Sequence, residues 1–129
     1  MVLSSSLHNK SNSETLAQEF AKGAAEAGNK VEFESLLGKK IGRLKTMLAR
    51  ANSLYSSDYK FREIYLLTAA ADTDKTAMNI AKRGISGWIA CFDGVKLKGA
   101  LCATGAENPG DVKERATLLK KVYAMGNKV

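Results

Sequence analysis

Apolar and polar residues along this chain follow two kinds of spacing in alternation. Short apolar runs are typical of strands, whereas apolar residues three and four positions apart are typical of one face of a helix. Strand-like runs occur at the amino end and around positions 31–37, 63–71 and 95–104, and a helical pattern follows each of them. This order predicts an α/β fold in which helices connect parallel strands.

The first strand, Val2–Leu3, leads into a loop rich in hydroxyl and amide side chains. Ser11 and Glu14 have the spacing of a capping box, so the first helix is predicted to begin near Asn12. The first N–H groups of a helix lack partners within it and carry about half a positive charge, which makes this loop a candidate phosphate site. The candidate phosphate-binding residues are Ser6, His8, Ser11, Asn12 and Ser13. The alternative is that they serve only in turns and caps.

The longest apolar run, residues 63–71, is predicted to be a strand that helices cover on both faces, at the centre of the sheet. Asp72 or Thr73 is predicted to cap the helix that follows, whose apolar positions extend to Phe92. Trp88 lies on this apolar helical face. We therefore interpret Trp88 as a core residue.

The remaining elements complete the alternation. Residues 31–37 alternate as a half-exposed edge strand does, and residues 43–52 have the spacing of a short amphipathic helix. A last strand is predicted at 95–104, followed by a helix from Asp111. With 129 residues and 45% hydrophobic content, the chain is predicted to form one domain, 1–129.

Charge and cysteine content restrict the function classes. The net charge of +7 permits attraction to the phosphates of a nucleotide or of nucleic acid, but no nucleic-acid-binding motif accompanies the basic stretch at 39–50. No apolar run is long enough to span a membrane. Cys91 and Cys102 lie outside any C-x-x-C pattern, which favours thiols in a reducing compartment. We expect a soluble, cytoplasmic protein, and no motif predicts a metal site.

One stretch resembles a known family. Residues 4–13, Ser-Ser-Ser-Leu-His-Asn-Lys-Ser-Asn-Ser, are similar to the phosphate loop of flavodoxin-like, NAD(P)H-dependent FMN reductases, whose pattern is close to G/S-S-P-R-x-x-S-N-T/S. Leu7 and His8 stand where that family usually has proline and arginine. Residues 52–72 and 87–92 resemble the carboxyl-terminal half of the same family. The resemblance covers most of the chain.

The resemblance implies a flavodoxin-like three-layer open parallel sheet, but a shortened one. A strand and a helix that normally follow the family's second strand are missing, and the join falls around 41–43. Removing the third strand from the family's order 2-1-3-4-5 leaves 2-1-4-5, with the strand at 64–71 beside Val2–Leu3. Because a central strand is lost, we expect a homo-oligomer that covers the exposed core.

The resemblance also implies a function, an FMN-dependent NAD(P)H oxidoreductase. The FMN phosphate would bind in the first loop, and NAD(P)H would stack on the flavin, so no catalytic side chain is assigned. The residues expected beside the flavin ring are Thr68, Ala69, Ala70 and Asp72. Two alternatives remain, a non-catalytic shortened domain that binds phosphate or a partner subunit, and a basic nucleic-acid-binding domain.

Overall fold

A computed structural model describes residues 1–4, 10–35, 48–74 and 76–129 of the chain. Its strands are β1 (Val2–Ser4), β2 (Phe33–Ser35), β3 (Glu63–Ala69) and β4 (Lys96–Ala103). Its longer helices are α1 (Asn12–Glu26), α2 (Thr76–Ile89) and α3 (Ala116–Gly126). Residues 48–50 are helical, and 3₁₀ turns occupy Ala51–Ser56 and Asp111–Glu114.

Both strand pairs are parallel, so the predicted α/β class with parallel strands is confirmed. β1 pairs with β2 from Val2↔Phe33 onward, and β3 pairs with β4 as far as Ala69↔Ala103. The single four-stranded sheet expected from the sequence is not formed by the described residues, which make two separate two-stranded sheets. α1 packs against both β1 and β3, and the side chains of Val2 and Tyr65 pack against the cluster that contains Phe20. Side-chain packing therefore joins the two sheets where ladder hydrogen bonds were expected.

Two apolar clusters lie on opposite faces of β3. Successive residues of a strand point to opposite faces. Accordingly, Tyr65 and Leu67 pack against the cluster formed with α1 and α3, whereas Leu66 belongs to the cluster formed with α2. The buried members of the first cluster are Leu16, Phe20, Ala103, Ala106, Val112 and Val122, and those of the second are Leu48, Leu66, Ile85 and Ile89. Helices thus cover both faces of β3, as its continuous apolar run predicts.

The ends of two helices differ from the prediction. α2 begins at Thr76, whose N–H donates to Oδ1 of Asp74 at 2.9 Å, so the capping carboxylate is Asp74 and the prediction of Asp72 or Thr73 was wrong. α2 ends at Ile89, and the buried ring of Phe92 lies beyond the helix. In place of a helix from Asp111, a 3₁₀ turn comes first and α3 begins at Ala116.

Other predicted elements are described only in part. β2 covers 33–35 within the predicted strand at 31–37, and 36–37 lie outside the described residues. Of the predicted helix at 43–52, residues 48–50 are α-helical and 51–52 belong to a 3₁₀ turn, while 43–47 lie outside the described residues. Trp88 is half-buried at the edge of the core, where it packs against the second cluster and donates from Nε1 to the Leu48 carbonyl oxygen at 3.1 Å.

Candidate functional site

The amino terminus of α1 has the predicted cap. Ser11 is extended (φ −65°, ψ 153°), and its Oγ accepts a hydrogen bond from the N–H of Glu14 at 3.1 Å. This is the N-cap interaction that satisfies one of the free donors of a first turn. Ser13 Oγ lies 3.4 Å from Ser11 Oγ, so two hydroxyls are adjacent at the positive end of the helix dipole.

Asn12 connects this helix end to a distant loop. Its Oδ1 accepts from the N–H groups of Gly110 and Val112, each at 3.1 Å, and its Nδ2 donates to the Asn108 carbonyl oxygen at 2.8 Å. The side chain is buried. Both functional groups of the Asn12 amide are therefore engaged within the protein, so a phosphate at this loop would be contacted by neighbouring donors and by one remaining Nδ2 hydrogen at most.

Two buried hydroxyls lie near the carboxyl ends of strands in separate sheets. Ser4 ends β1 and is 3% exposed, and Thr68 is the penultimate residue of β3. Neither Ser4 Oγ nor Thr68 Oγ1 has a hydrogen-bond partner within the described part of the chain. Because an unpaired buried hydroxyl is costly, and most such groups in native proteins are paired, each position points to a partner from outside these residues.

Backbone hydrogen bonds join the segment that follows β3 to the end of β4 and the loop after it. Ala70 donates to the Ala103 carbonyl oxygen and accepts from the N–H of Ala106, both at 2.9 Å, and the Asp72 carbonyl oxygen accepts from the N–H of Gly105 at 2.9 Å. The Ala70 N–H is therefore already engaged. Oδ1 of Asp72 accepts from the N–H of Asp74 at 2.8 Å and stabilises the turn before α2.

The side chain of Arg115 also forms hydrogen bonds to the loop that follows β4. Its guanidinium donates to the carbonyl oxygens of Thr104 and Gly105, each at 2.6 Å. Gly105 has φ +63°, a left-handed conformation that glycine adopts without strain. Since Gly105 also donates to Asp72, the guanidinium stiffens the loop against which the carboxyl end of β3 is fixed.

The site's carboxylates are used in hydrogen bonds to backbone. The N–H and the hydroxyl of Thr76 donate to Asp74 and hold the pKa of its carboxyl below the ordinary value. Asp74 is therefore ionised at neutral pH and favours the positive end of the α2 dipole. The residues described here contain no cluster of histidine, cysteine, aspartate and glutamate that could hold a metal ion.

The structure brings the predicted residues to one loop without placing them in direct contact. Ser11, Asn12 and Ser13 lie at the start of α1, where Asn12 contacts residues 108–112. Thr68, Ala69, Ala70 and Asp72 lie at the end of β3. Thr68 and Ala69 pair with the last two residues of β4, and Ala70 and Asp72 bond to residues 103–106. The two sets thus approach the segment 103–112 from its two ends. The predicted residues Ser6 and His8 fall within 5–9, outside the described residues.

Sequence reasoning missed three residues of this site, namely Ser4, Asn108 and Arg115. Ser4 is the first residue of the serine run 4–6, and its position at the end of an apolar strand was an available signal. Asn108 and Arg115 carry no local signal, because their partners Asn12 and Thr104 are defined only by the tertiary structure.

These observations define the class of the molecule, a small α/β protein with two parallel strand pairs and a loop, 103–112, that bonds to the end of β3 and to the start of α1. Comparison with protein-family models, with curated proteins and with solved structures finds no match for the chain. Within the described ranges, no helix is long and apolar enough to cross a membrane.

Proposed function

We propose that this chain is a cytoplasmic, FMN-dependent NAD(P)H oxidoreductase of the flavin or quinone reductase type. The observation that carries the proposal is the buried hydroxyl of Thr68, which has no partner among the described residues and lies at the carboxyl end of a parallel strand. In open parallel sheets, ligands bind outside the carboxyl ends of the strands. The expected position of the flavin ring, beside Thr68, agrees with this rule.

The helix end supports the same ligand. α1 presents a positive amino terminus with the hydroxyls of Ser11 and Ser13 at 3.4 Å from one another, and phosphate groups bind readily at such an end. The net charge of +7 favours an anionic ligand. The Ser13 and Thr68 hydroxyls would therefore contact the phosphate end and the ring end of FMN, respectively.

The chain's own contribution would be binding and orientation. FMN, when bound, supplies hydride acceptance from NAD(P)H and electron transfer to an acceptor, so the protein needs no acid–base side chain at the site. The loop bonded by Arg115 and Asn12 would hold the two contact regions at a constant separation. We further propose that the two sheets are the halves of a shortened flavodoxin-like sheet of order β2-β1-β3-β4, and that a homo-oligomer completes the flavin site.

The test begins with the visible absorption spectrum of the purified protein, alone and with added FMN. We expect a yellow protein, or saturable binding of FMN, and NAD(P)H oxidation faster than with the same concentration of free FMN. Thr68→Val, which removes one hydroxyl at constant shape, should weaken FMN binding about fivefold to tenfold. Thr117→Val on the exposed face of α3 is the matched control and should bind FMN as the parent does.

The second candidate is a non-catalytic domain that binds phosphate or a partner subunit. The observation favouring it is the separation of β1 from β3, which leaves the expected flavin site without a continuous sheet beneath it. Inorganic phosphate binding without FMN binding would favour this candidate. A colourless protein that shows no spectral change with FMN would exclude the oxidoreductase.

A further inference from the structure

A cavity of about 590 Å³ separates the two sheets. Its walls include consecutive residues of both facing strands, Met1–Ser4 on one side and Glu63–Leu67 on the other. Because consecutive residues of a strand point to opposite faces, a cavity that contacts all of them lies along the strand's edge rather than over one face. We call this cavity the inter-sheet slot.

Along the inter-sheet slot, the edges of both strands carry backbone groups that have no ladder partner among the described strands. In a parallel ladder, the N–H and C=O of one residue point to the same neighbour, and those of the next residue point away. Val2 donates to Glu32 beside β2 at 2.7 Å, so the backbone groups of Leu3 point to the opposite edge. Leu3 therefore has no ladder partner among the described strands.

The same reasoning applies to β3. The N–H of Ala70 donates to Ala103 of β4, so the even-numbered residues of this strand direct their backbone groups towards β4. The odd-numbered residues Tyr65 and Leu67 therefore direct their N–H and C=O groups away from β4. Both residues line the inter-sheet slot. Each side of the slot thus carries backbone donors and acceptors with the period of a strand.

The side chains around the inter-sheet slot are mainly apolar. Besides the two strands, the lining includes Ala17 and Phe20 from α1, and Ile85 and Trp88 from α2. The polar exceptions among the described lining residues include Ser4, Ser13 and Glu63. Of these, Ser4 has a buried Oγ with no partner within the described ranges. A strand between the sheets would satisfy both rows of backbone groups and place polar backbone beside this hydroxyl, which a compact apolar molecule does not do.

We propose that the inter-sheet slot binds an extended segment of a partner protein as an additional strand between β1 and β3. The lining stretches of four and five residues define a segment of about that length. Glu63 is the charged side chain among the described lining residues, and it is already bonded to Lys98 at 2.7 Å. The inserted residues are therefore uncharged and β-branched, and acidic residues flank them to complement the net charge of +7.

The probe is the labelled peptide acetyl-Glu-Glu-Val-Ile-Val-Ile-Val-Glu-Glu-amide, titrated with the full chain and followed by fluorescence anisotropy. Trp88, the chain's single tryptophan, lines the inter-sheet slot and gives an independent fluorescence signal. The matched control is the same peptide with alternate backbone nitrogens methylated, which keeps the apolar side chains and removes donors. We expect saturable binding that methylation weakens at least about tenfold.

The protein-side test uses Leu3→Pro against Leu3→Ala. Proline removes the N–H that points to the inter-sheet slot and leaves the ladder bonds of β1 with β2 in place, whereas alanine controls for the lost side chain. Leu3→Pro should weaken peptide binding at least about fivefold relative to Leu3→Ala, with both variants folded by circular dichroism. If both fail to fold, the methylated peptide alone decides the question.

Three results would overturn the proposal. Equal binding of the methylated peptide would show apolar adhesion without strand pairing, and absence of binding would show that no peptide enters the inter-sheet slot. A stable dimer of the chain that Leu3→Pro converts to monomer would identify a second copy as the occupant. Because FMN is absent from every arm, these results do not depend on the proposed oxidoreductase activity.

Discussion

The carbonyl oxygen of Tyr123 on α3 lies so close to Gly23 of α1 that a β-carbon on Gly23 would clash with it. The relationship is reciprocal, because a β-carbon on Gly126 of α3 would clash with the carbonyl oxygen of Phe20 on α1. Asn127 adds a hydrogen bond from its Nδ2 to the Gly23 carbonyl oxygen at 3.2 Å. The two helices therefore meet backbone to backbone, and their crossing depends on two glycines.

Gly23→Ala and Gly126→Ala should each destabilise the protein. The added methyl group meets backbone that cannot move without separating the helices, and such overpacking costs about 1–3 kcal/mol. The higher helix propensity of alanine, worth about 1 kcal/mol, offsets only part of this cost. Urea unfolding followed by circular dichroism measures the change.

The control for the glycine pair is Gly84→Ala in α2. In the part of the chain that the structure describes, no heavy atom outside the local helix lies within 4 Å of a β-carbon at Gly84. This substitution should raise the free energy of unfolding by up to about 1 kcal/mol through helix propensity alone. If all three substitutions have the same sign, the close helix crossing is wrong.

Asn12→Ala should cost about 2–4 kcal/mol of stability. It leaves the N–H groups of Gly110 and Val112 without their acceptor, and each unsatisfied buried group costs about 1–3 kcal/mol. Asn29→Ala is the control, because it removes a side-chain amide that is exposed, and it should cost less than about 1 kcal/mol. Thermal unfolding of both variants measures the difference, and equal losses would contradict the role assigned to Asn12.

Asp74 should make stability depend on acid pH. Hydrogen bonds from Thr76 lower the pKa of its carboxyl in the folded chain, so the unfolded chain, with an ordinary value of about 3.9, takes up the proton first. The stabilisation is therefore present above about pH 4 and is lost as pH falls through the folded pKa.

The measurement for Asp74 is the urea midpoint at pH 7 and at pH 3. Asp74→Asn keeps an acceptor oxygen for the Thr76 N–H but does not titrate, so it should reduce the difference between the two midpoints. An unchanged difference would assign the acid sensitivity to other carboxylates. One such group is Glu63, because a hydrogen bond from Lys98 lowers the pKa of its carboxyl.

Thr68→Val should leave the free energy of unfolding unchanged or raise it by about 1–2 kcal/mol in the absence of ligand. The reason is that the Thr68 hydroxyl is buried without a partner in the described part of the chain, so the substitution removes an uncompensated polar group. Thr15→Val is the contrast, since its hydroxyl donates to the Ser11 carbonyl oxygen at 3.1 Å, and it should cost about 0.5–1.5 kcal/mol. Destabilisation by Thr68→Val would reveal a native partner.

Local features were predictable from sequence. Ser11 and Glu14 are three positions apart, so the cap that starts α1 at Asn12 depends on neighbours whose spacing is visible in the chain. The continuous apolar run around Leu66 similarly required helices on both faces, and the structure supplies them. The capping carboxylate of α2 was misplaced by two positions, because Asp72 and Asp74 have the same local propensity.

The features that the sequence did not predict depend on contacts between residues far apart in the chain. Asn12 bonds to groups about a hundred positions away, and its sequence neighbours contain nothing that distinguishes such a structural amide from a phosphate ligand. The same holds for Arg115 and for the contact of Gly23 with Tyr123, which require two segments to meet. The residues 5–9 and 36–47 lie outside the described ranges, so the predictions for Ser6 and His8 stay predictions.

By itself, the sequence determined the alternation of strands and helices, the start of α1 and the apolar faces, because these depend on spacing over a few residues. Tertiary structure alone decided that the strands form two separate pairs and that an apolar slot lies between them. The physical reason is that the pairing of a strand edge depends on which other edge reaches it, and periodicity within one strand carries no information about that distance.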